Sequence, residues 1–270
     1  YTGEDTLSLH DALPILLGEG IGSRGGNFAT TTGLHAKYGA ERLCDTPICE
    51  RGFVGLGCGA AMTGTRPIID FMFIDFINDA FGELINQIAK MQYMSSGRLR
   101  MPILLRGCIG IGHSAATHHS GSYHSIYSHI PGLRVVVPSN AYDAKGLFTH
   151  ALRSHDPVLF LEHRELMSTK AHVPTEDYEI PFGQARVLRE GDHITVVAIA
   201  LMVSHALQAA AELERDGMIH REVFAQVPPR VEYSITEFGR TLTPVLAALE
   251  HWAHAHVLPR MPQPDTSQEA

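Results

Sequence analysis

Acidic, imidazole and thioether side chains lie at the ends of apolar stretches in this 270-residue chain. Glu50 is the clearest case, because it stands between a strand-like run, residues 42–46, and a small, apolar, helix-like run, residues 52–64. A carboxylate with little water around it has a raised pKa and can hold a proton for a ligand. The alternative is an ordinary helix-start glutamate that the helix dipole favours. Spacing alone leaves both interpretations open.

A Gly- and Ser-rich segment, residues 110–128, holds or adjoins five histidines: His113, His118, His119, His124 and His129. Zinc sites combine histidine with thiolate or carboxylate ligands, or pair two histidines at i and i+4 on a helix. Neither pattern occurs within this segment. We therefore expect a mobile active-site loop that presents one or two histidines, rather than a metal site.

Residues 20–25 (GIGSRG) formally match the glycine fingerprint of dinucleotide-binding proteins, and Asp45 could supply the acidic partner. The fingerprint requires a helix after the glycines, but residues 27–33 are Thr-rich and carry no apolar stripe. A flexible loop is the favoured interpretation. An NAD-dependent dehydrogenase remains an alternative that rests on this feature alone.

Composition limits the class of protein. The formal net charge of −8 argues against a general nucleic-acid binder, because such proteins gain affinity from basic contacts to phosphate. No apolar stretch approaches the roughly 20 residues that span a bilayer, and no basic region precedes an apolar core near the N-terminus. The four cysteines show no paired metal spacing. We therefore expect a cytoplasmic protein without a membrane partner.

Strand-like and helix-like segments alternate along residues 15–169, which is typical of a parallel sheet covered by helices. Strands are predicted at residues 42–46, 66–73, 102–108, 134–138 and 158–162, and helices at residues 52–64, 76–94 and 141–154. We expect a doubly wound, mainly parallel α/β domain.

The rest of the chain predicts smaller units. Residues 170–182 are polar and proline-bearing, as in a linker. Residues 183–216 predict one strand (194–200) and one helix (201–215), the truncated start of a second α/β unit. Residues 217–257 predict a β-hairpin that turns at Pro228 and Pro229, followed by helix. Residues 258–270 predict a disordered tail.

Several blocks of sequence recur together in one family: residues 17–19, 45–50, 59–62, 66–68, 131–136, 143–147 and 157–165, with Met72 and Phe76 between them. In this order they resemble the beta subunit of the thiamine-diphosphate-dependent decarboxylating component of 2-oxo-acid dehydrogenases, of pyruvate, branched-chain or acetoin type. The resemblance implies a transketolase-like pyrimidine-binding domain over residues 15–169. It also implies oxidative decarboxylation of a small 2-oxo acid, followed by acyl transfer to a lipoyl group.

The resemblance implies roles for individual residues. Glu50 would donate a hydrogen bond to a ring nitrogen of the cofactor's aminopyrimidine, and His119 stands where the family places its active-site histidine. Ile48, Met72 and Phe76 would bind the pyrimidine, although Met72 and Phe76 also suit plain core positions. A further stretch matches residues that bind potassium in some relatives, largely through backbone carbonyls: Ile103, Ala151, Leu152, Ser154 and Asp156.

The implied partners are an alpha subunit, in a heterotetramer, and a lipoyl acyltransferase core. In the family the alpha subunit binds the pyrophosphate and its magnesium through a Gly-Asp-Gly type motif, which this chain lacks. The complete active site would then form only between subunits. The 2-oxo acid cannot be read from the sequence, since Tyr123 or Ile126 could line a pocket for several.

The two ends depart from this family. Residues 1–14 replace its opening helix and look like translated adapter sequence. Residues 213–257 resemble the second half of an HxlR-type winged-helix regulator, through residues 216–218, 227–234, 236–239 and 244–246. We expect the recognition helix of that family to be missing and DNA binding to be lost with it. A transcriptional regulator is nevertheless the main alternative to an enzyme. We expect a chimeric reading frame.

Overall fold

The computed structural model describes residues 14–112, 114–191, 194–224 and 230–257. The chain divides into two compact units. The first runs to Gln184 and includes Ile199–Val203. The second consists of Ala185–Ala198 and the residues from Ser204 onwards.

A six-stranded sheet forms the centre of the first unit. In chain order its strands are β1 (Ile15–Gly18), β2 (Leu43–Asp45), β3 (Pro67–Phe73), β4 (Leu104–Ile109), β5 (Arg134–Val136) and β6 (Val158–His163). The strand order in the sheet is β2-β1-β3-β4-β6-β5, and every neighbouring pair is parallel. The connections change direction at β1, whose neighbours are β2 and β3. In open α/β sheets the ligand crevice lies beyond the carboxyl ends of the strands at such a switch point.

The helices of the first unit are mostly short. The α-helices are α1 (Leu34–Tyr38), α2 (Glu50–Met62), α3 (Met91–Met94), α4 (His124–Ser128) and α5 (Ala141–Arg153). Three 3₁₀ helices cover Ile74–Ala80, Thr117–His119 and Arg164–Ser168, and a π-helix covers Glu83–Ile88. The long helix predicted at residues 76–94 is therefore a series of short helical pieces. Ile77, Leu84 and Ile88 in these pieces are fully buried.

Alternate residues of the strands face opposite sides of the sheet, and each side has its own core. One core packs against α2 and includes Phe53, Val54, Ile69, Phe71, Leu105 and Leu159. The other packs against α5 and includes Ile68, Leu104, Phe160, Leu147 and Phe148. Asn140 caps α5, since its side chain accepts a hydrogen bond from the backbone N–H of Asp143. The predicted doubly wound α/β architecture is confirmed.

The second unit contains a two-stranded antiparallel hairpin, β7 (Ile219–Phe224) and β8 (Arg230–Ile235). The helices α6 (Leu201–Arg215), α7 (Glu237–Arg240) and α8 (Thr243–His256) flank it in sequence, α6 beginning within the first unit. Thr236 caps α7, because its hydroxyl accepts a hydrogen bond from the N–H of Gly239.

The prediction of a strand at residues 194–200 is wrong. Residues 194–199 form no strand, and Ile194 and Val197 are 80% and 88% exposed. Their β-branched composition favours a strand, but no strand of the described residues pairs with them. The helix predicted after them, residues 201–215, is confirmed as α6.

Candidate active site

Glu50 is the first residue of α2, and its side chain is buried, with a relative exposure of 5%. The two residues before it, Ile48 and Cys49, are exposed. Among the described residues no ion pair includes Glu50. Burial without a cation distinguishes Glu50 from an ordinary glutamate at a helix start, which water normally solvates.

A second carboxylate, Glu19, directly follows β1 and lies within electrostatic range of Glu50. Burial, and then the negative charge of Glu50, raises the pKa of Glu19. Glu19 therefore keeps its proton to a higher pH than an ordinary glutamate does. Glu19 lies in the matching block at residues 17–19, but no role was predicted for it. Its position at the end of a strand beside the switch point was the signal that could have revealed it.

Met72 lies at an irregularity near the end of β3, where the pairing with β4 shifts register between Asp70 and Phe73. Met72 has a left-handed backbone (φ 59°), which is uncommon for a non-glycine residue. Its N–H donates to Asp70 Oδ1 at 2.8 Å, which holds this turn. The Asn27 amide contacts the Met72 sulfur. Met72 is thus a partly exposed residue at the end of a strand and is not a plain core residue.

His119 ends a 3₁₀ helix and packs against two phenylalanines. Its ring lies edge-on to Phe73 (centroids 4.6 Å apart) and to Phe76 (5.4 Å). Two residues predicted separately, His119 and Phe76, are therefore brought together. Phe73 was missed, because an aromatic residue in an apolar strand run carries no signal of its own.

The other histidines predicted for this loop are His113, His118, His124 and His129. His118 and His129 are exposed, and His113 lies outside the described residues. Within the described ranges no group of three His, Cys, Asp or Glu side chains is placed to hold a metal ion.

Three charged residues on adjacent strands form an ion-pair network in which Asp70 and Arg106 are buried and Glu162 is partly exposed. Arg106 Nη1 on β4 donates to Asp70 Oδ2 on β3 at 2.9 Å, and Arg106 Nη2 pairs with Glu162 on β6. Burial alone would lower the pKa of Arg106, but the charges of Glu162 and Asp70 outweigh it and raise that pKa. Burial, and then Glu162, raises the pKa of the neighbouring Cys108 thiol to about 12. Since Asp70 also holds Met72, the network anchors that turn.

The carbonyls predicted to bind potassium accept hydrogen bonds from the chain itself. Arg66 Nη1 donates to the carbonyls of Leu152 (3.0 Å) and Ser154 (2.9 Å). The carbonyl of Ile103 accepts a hydrogen bond from the N–H of Val158 (3.0 Å). The carbonyls of Ala151 and Asp156 both accept from Ser154, the first from its N–H (3.2 Å) and the second from its hydroxyl (3.1 Å). The guanidinium of Arg66 supplies positive charge at this place, so these contacts do not favour a potassium ion. Potassium binding stays a prediction.

The glycine-rich segment at residues 20–25 forms turns, as expected of a loop. The N–H of Gly22 donates to Asp45 Oδ1 at 3.0 Å, which ties the loop to the end of β2. No helix follows until α1, which has only five residues. The arrangement lacks the helix N-terminus that binds a dinucleotide pyrophosphate.

A family model described as "Transketolase, pyrimidine binding domain" matches residues 5–170 of this sequence. The chain belongs to this family. The resemblance stated from the sequence blocks is confirmed. A second model, described as "HxlR-like helix-turn-helix", matches residues 193–261.

Curated relatives of the family are named as dehydrogenase beta subunits. The chain is 46% identical over 209 residues to 2-oxoisovalerate dehydrogenase subunit beta of Bacillus subtilis, covering 77% of this chain and 64% of the relative. It is 42% identical over 234 residues to pyruvate dehydrogenase E1 component subunit beta of Rhizobium meliloti, covering 84% of this chain and 51% of the relative. The chain thus spans less than two thirds of either relative.

A solved structure shares the fold. The chain matches a "split gene transketolase, inactive beta4 tetramer" with a TM-score of 0.60 and 22% identity, over 85% of this chain and 68% of that one. At this identity the likeness concerns the fold alone.

In the second unit, α6 precedes the hairpin, and the HxlR-like match includes it. The N–H of Met218 donates to the carbonyl of Leu213 at 2.9 Å, which joins the end of α6 to the start of β7. The recognition helix of the regulator family, which precedes the hairpin, was expected to be missing. A helix does stand at this place, but Arg215 is its only lysine or arginine.

Proposed function

We propose that the first unit provides the pyrimidine side of a thiamine diphosphate site, as a beta subunit of a 2-oxo-acid dehydrogenase. The observation that carries this proposal is Glu50, which is buried without a cation beside Glu19. It stands beyond the strand ends of a sheet whose family binds a pyrimidine. The names of the dehydrogenase relatives support the same activity.

The residues of this chain would have distinct tasks. Glu50 would donate a hydrogen bond to a ring nitrogen of the aminopyrimidine. Met72 and Phe76 would pack against the ring, with the backbone near Ile48 beside it. When bound, the cofactor supplies the electron sink for loss of carbon dioxide from the 2-oxo acid. His119 would hold or move a proton of the substrate.

The remaining parts of the site would come from other chains. An alpha subunit would bind the pyrophosphate with its magnesium, in a heterotetramer, and a lipoyl acyltransferase core would accept the acyl group. We also propose that residues 15–169 are the pyrimidine domain, 170–182 a linker, 183–216 a truncated second unit and 217–257 a winged-helix fragment.

The test measures the binding of thiamine diphosphate by calorimetry. The sample is the full chain mixed with the alpha subunit of the Bacillus subtilis relative. We expect saturable binding that E50Q weakens at least tenfold. The matched control is E237Q, because Glu237 is also the first residue of a helix but is exposed. Binding that is equally strong in E50Q would contradict the proposal.

The same mixture separates the rival functions. An NAD-dependent enzyme would bind NAD instead of thiamine diphosphate, and a regulator would bind duplex DNA with a steep dependence on salt. Among the described residues no helix is long and apolar enough to cross a membrane.

A further inference from the structure

The loop that carries His119 is closed at its base by main-chain hydrogen bonding. The N–H of Gly110, at the end of β4, donates to the carbonyl of Gly121 at 3.0 Å. His119 thus lies in a loop whose two ends are joined. Closure of the ends alone does not fix a residue inside the loop, so further contacts are needed to hold His119.

Arg164 makes the first of these contacts from inside the protein. Its side chain is buried, with 2% exposure, and Nη2 donates to the carbonyls of Gly110 (2.9 Å) and His119 (3.0 Å). Its guanidinium also lies over the Phe73 ring, 5.2 Å from the centroid, and Phe73 is the ring that contacts His119. One buried cation therefore touches the backbone of His119 and the aromatic wall beside it.

Asp75 makes the second contact, from the 3₁₀ helix that also carries Phe76. Asp75 Oδ1 accepts hydrogen bonds from the N–H of Gly121 (3.0 Å) and from the hydroxyl of Tyr123 (3.3 Å). A Cβ added at Gly121 would come within 2.7 Å of the Asp75 carboxylate, so the backbone approaches this side chain as closely as only glycine allows. Asp75 thus holds the loop two residues beyond His119.

We propose that Arg164 and Asp75 are positioning residues that clamp the His119 loop at two points, so that the imidazole is held against Phe73 and Phe76 before substrate binds. Neither residue was singled out by the sequence. Their link to catalysis rests on the proposed function, but the geometry of the clamp does not. Such preorganisation matters because a displacement of about 1 Å can cost on the order of 100-fold in rate.

The first test observes His119 directly in the full chain, without a partner. Histidine labelled with ¹³C in the imidazole ring gives one NMR signal per residue, and H119Q identifies the signal of His119. We expect this signal to be displaced by the ring currents of Phe73 and Phe76 in the wild type. R164M and D75A should move it at least halfway toward the position of exposed histidine.

Conservative and matched variants give the test its specificity. D75N keeps an oxygen that can accept both hydrogen bonds and should restore the wild-type signal. R164K keeps the charge but lacks the planar guanidinium that lies over the Phe73 ring, so it should move the signal partway. Two controls should leave it unchanged: D79A, an exposed aspartate on the same helix, and R134M, an exposed arginine.

The His150 signal reports whether each variant has kept its fold, since His150 contacts Glu179 and Phe182 far from the clamp in sequence. A His119 signal that stays in place in R164M and in D75A would overturn the proposal. If R164M does not fold, R164K and the D75A/D75N pair decide in the same way.

The second test adds the alpha subunit and a 2-oxo acid. R164M and D75A should lower kcat by roughly 10- to 100-fold and leave the binding of thiamine diphosphate unchanged, whereas E50Q weakens that binding. If the wild-type mixture has no activity, the proposed function fails. The NMR result still decides the clamp.

Discussion

Leu104–Ile109 and residues 194–199 are both six-residue segments of mainly apolar composition, but only the first forms a strand. Leu104–Ile109 pairs with β3 on one side and β6 on the other, and all six of its residues are buried. Residues 194–199 have no strand neighbour among the described residues, and most of their side chains are open to solvent. The difference shows that apolar, β-branched composition produces a strand only where neighbouring strands satisfy its backbone.

The largest expected effect on the free energy of unfolding comes from replacing Arg106 in the first unit, compared with Arg215 in the second. R106M leaves the buried Asp70 and the partly exposed Glu162 without their cation, so we expect a loss of about 3–5 kcal/mol in the free energy of unfolding. R215M removes an exposed arginine paired with Asp216, and it should cost no more than about 1 kcal/mol. Urea unfolding of both variants measures the difference. Equal losses in the two variants would show that the ion pairs of Arg106 are as exposed to solvent as that of Arg215.

The next effect compares two apolar side chains. Leu105 is fully buried in β4, so L105A should lower the free energy of unfolding by about 2–5 kcal/mol through lost burial and a cavity. Val197 is exposed, so V197A should stay within about 0.5 kcal/mol of the wild type. Thermal melts at one protein concentration check this pair. A large loss in V197A would mean that residues 194–199 are packed after all.

A smaller effect concerns two faces of α2. A Cβ at Gly57 would lie 2.6 Å from Ile69 Cδ1, so G57A should cost about 1–3 kcal/mol through overpacking. Gly55, in the same helix, has no atom within 4 Å of the added Cβ. G55A should therefore stabilise the chain by about 0.5–1 kcal/mol. The order of the two melting temperatures is the result to check, and the reverse order would contradict the packing of α2 on β3.

The smallest effect is a pH dependence at the candidate site. Because the pKa of Glu19 is raised above 4.5 in the folded state, the folded chain holds this proton more tightly than the unfolded chain. Its contribution to stability is full below the unfolded pKa and is lost as pH rises through the folded pKa. Relative to E19Q, the wild type should thus lose stability over this range. E50Q should reduce the loss, since the charge of Glu50 is the second cause of the shift. A pH profile of E19Q parallel to that of the wild type would contradict this.

Much of the first unit could be predicted from the sequence, because buried parallel strands are continuous apolar runs and each helix has an apolar face. The lack of a strand at residues 194–200 could not be predicted, because it depends on missing neighbouring strands and not on the residues of this segment. In the site, Glu50, Met72, Phe76 and His119 were predicted from blocks of sequence. Arg164 and Asp75 were not, because their contacts join residues 45 or 46 positions apart along the chain.

The central claim is the proposal that the first unit holds the pyrimidine half of a thiamine diphosphate site. Hydrogen–deuterium exchange of the full chain tests this most directly, with the alpha subunit present and thiamine diphosphate added or omitted. We predict that the cofactor slows exchange in peptides covering residues 46–54 and 117–128 and leaves residues 194–199 and 219–224 unchanged. Protection confined to the second unit, or none in the first, would contradict the account.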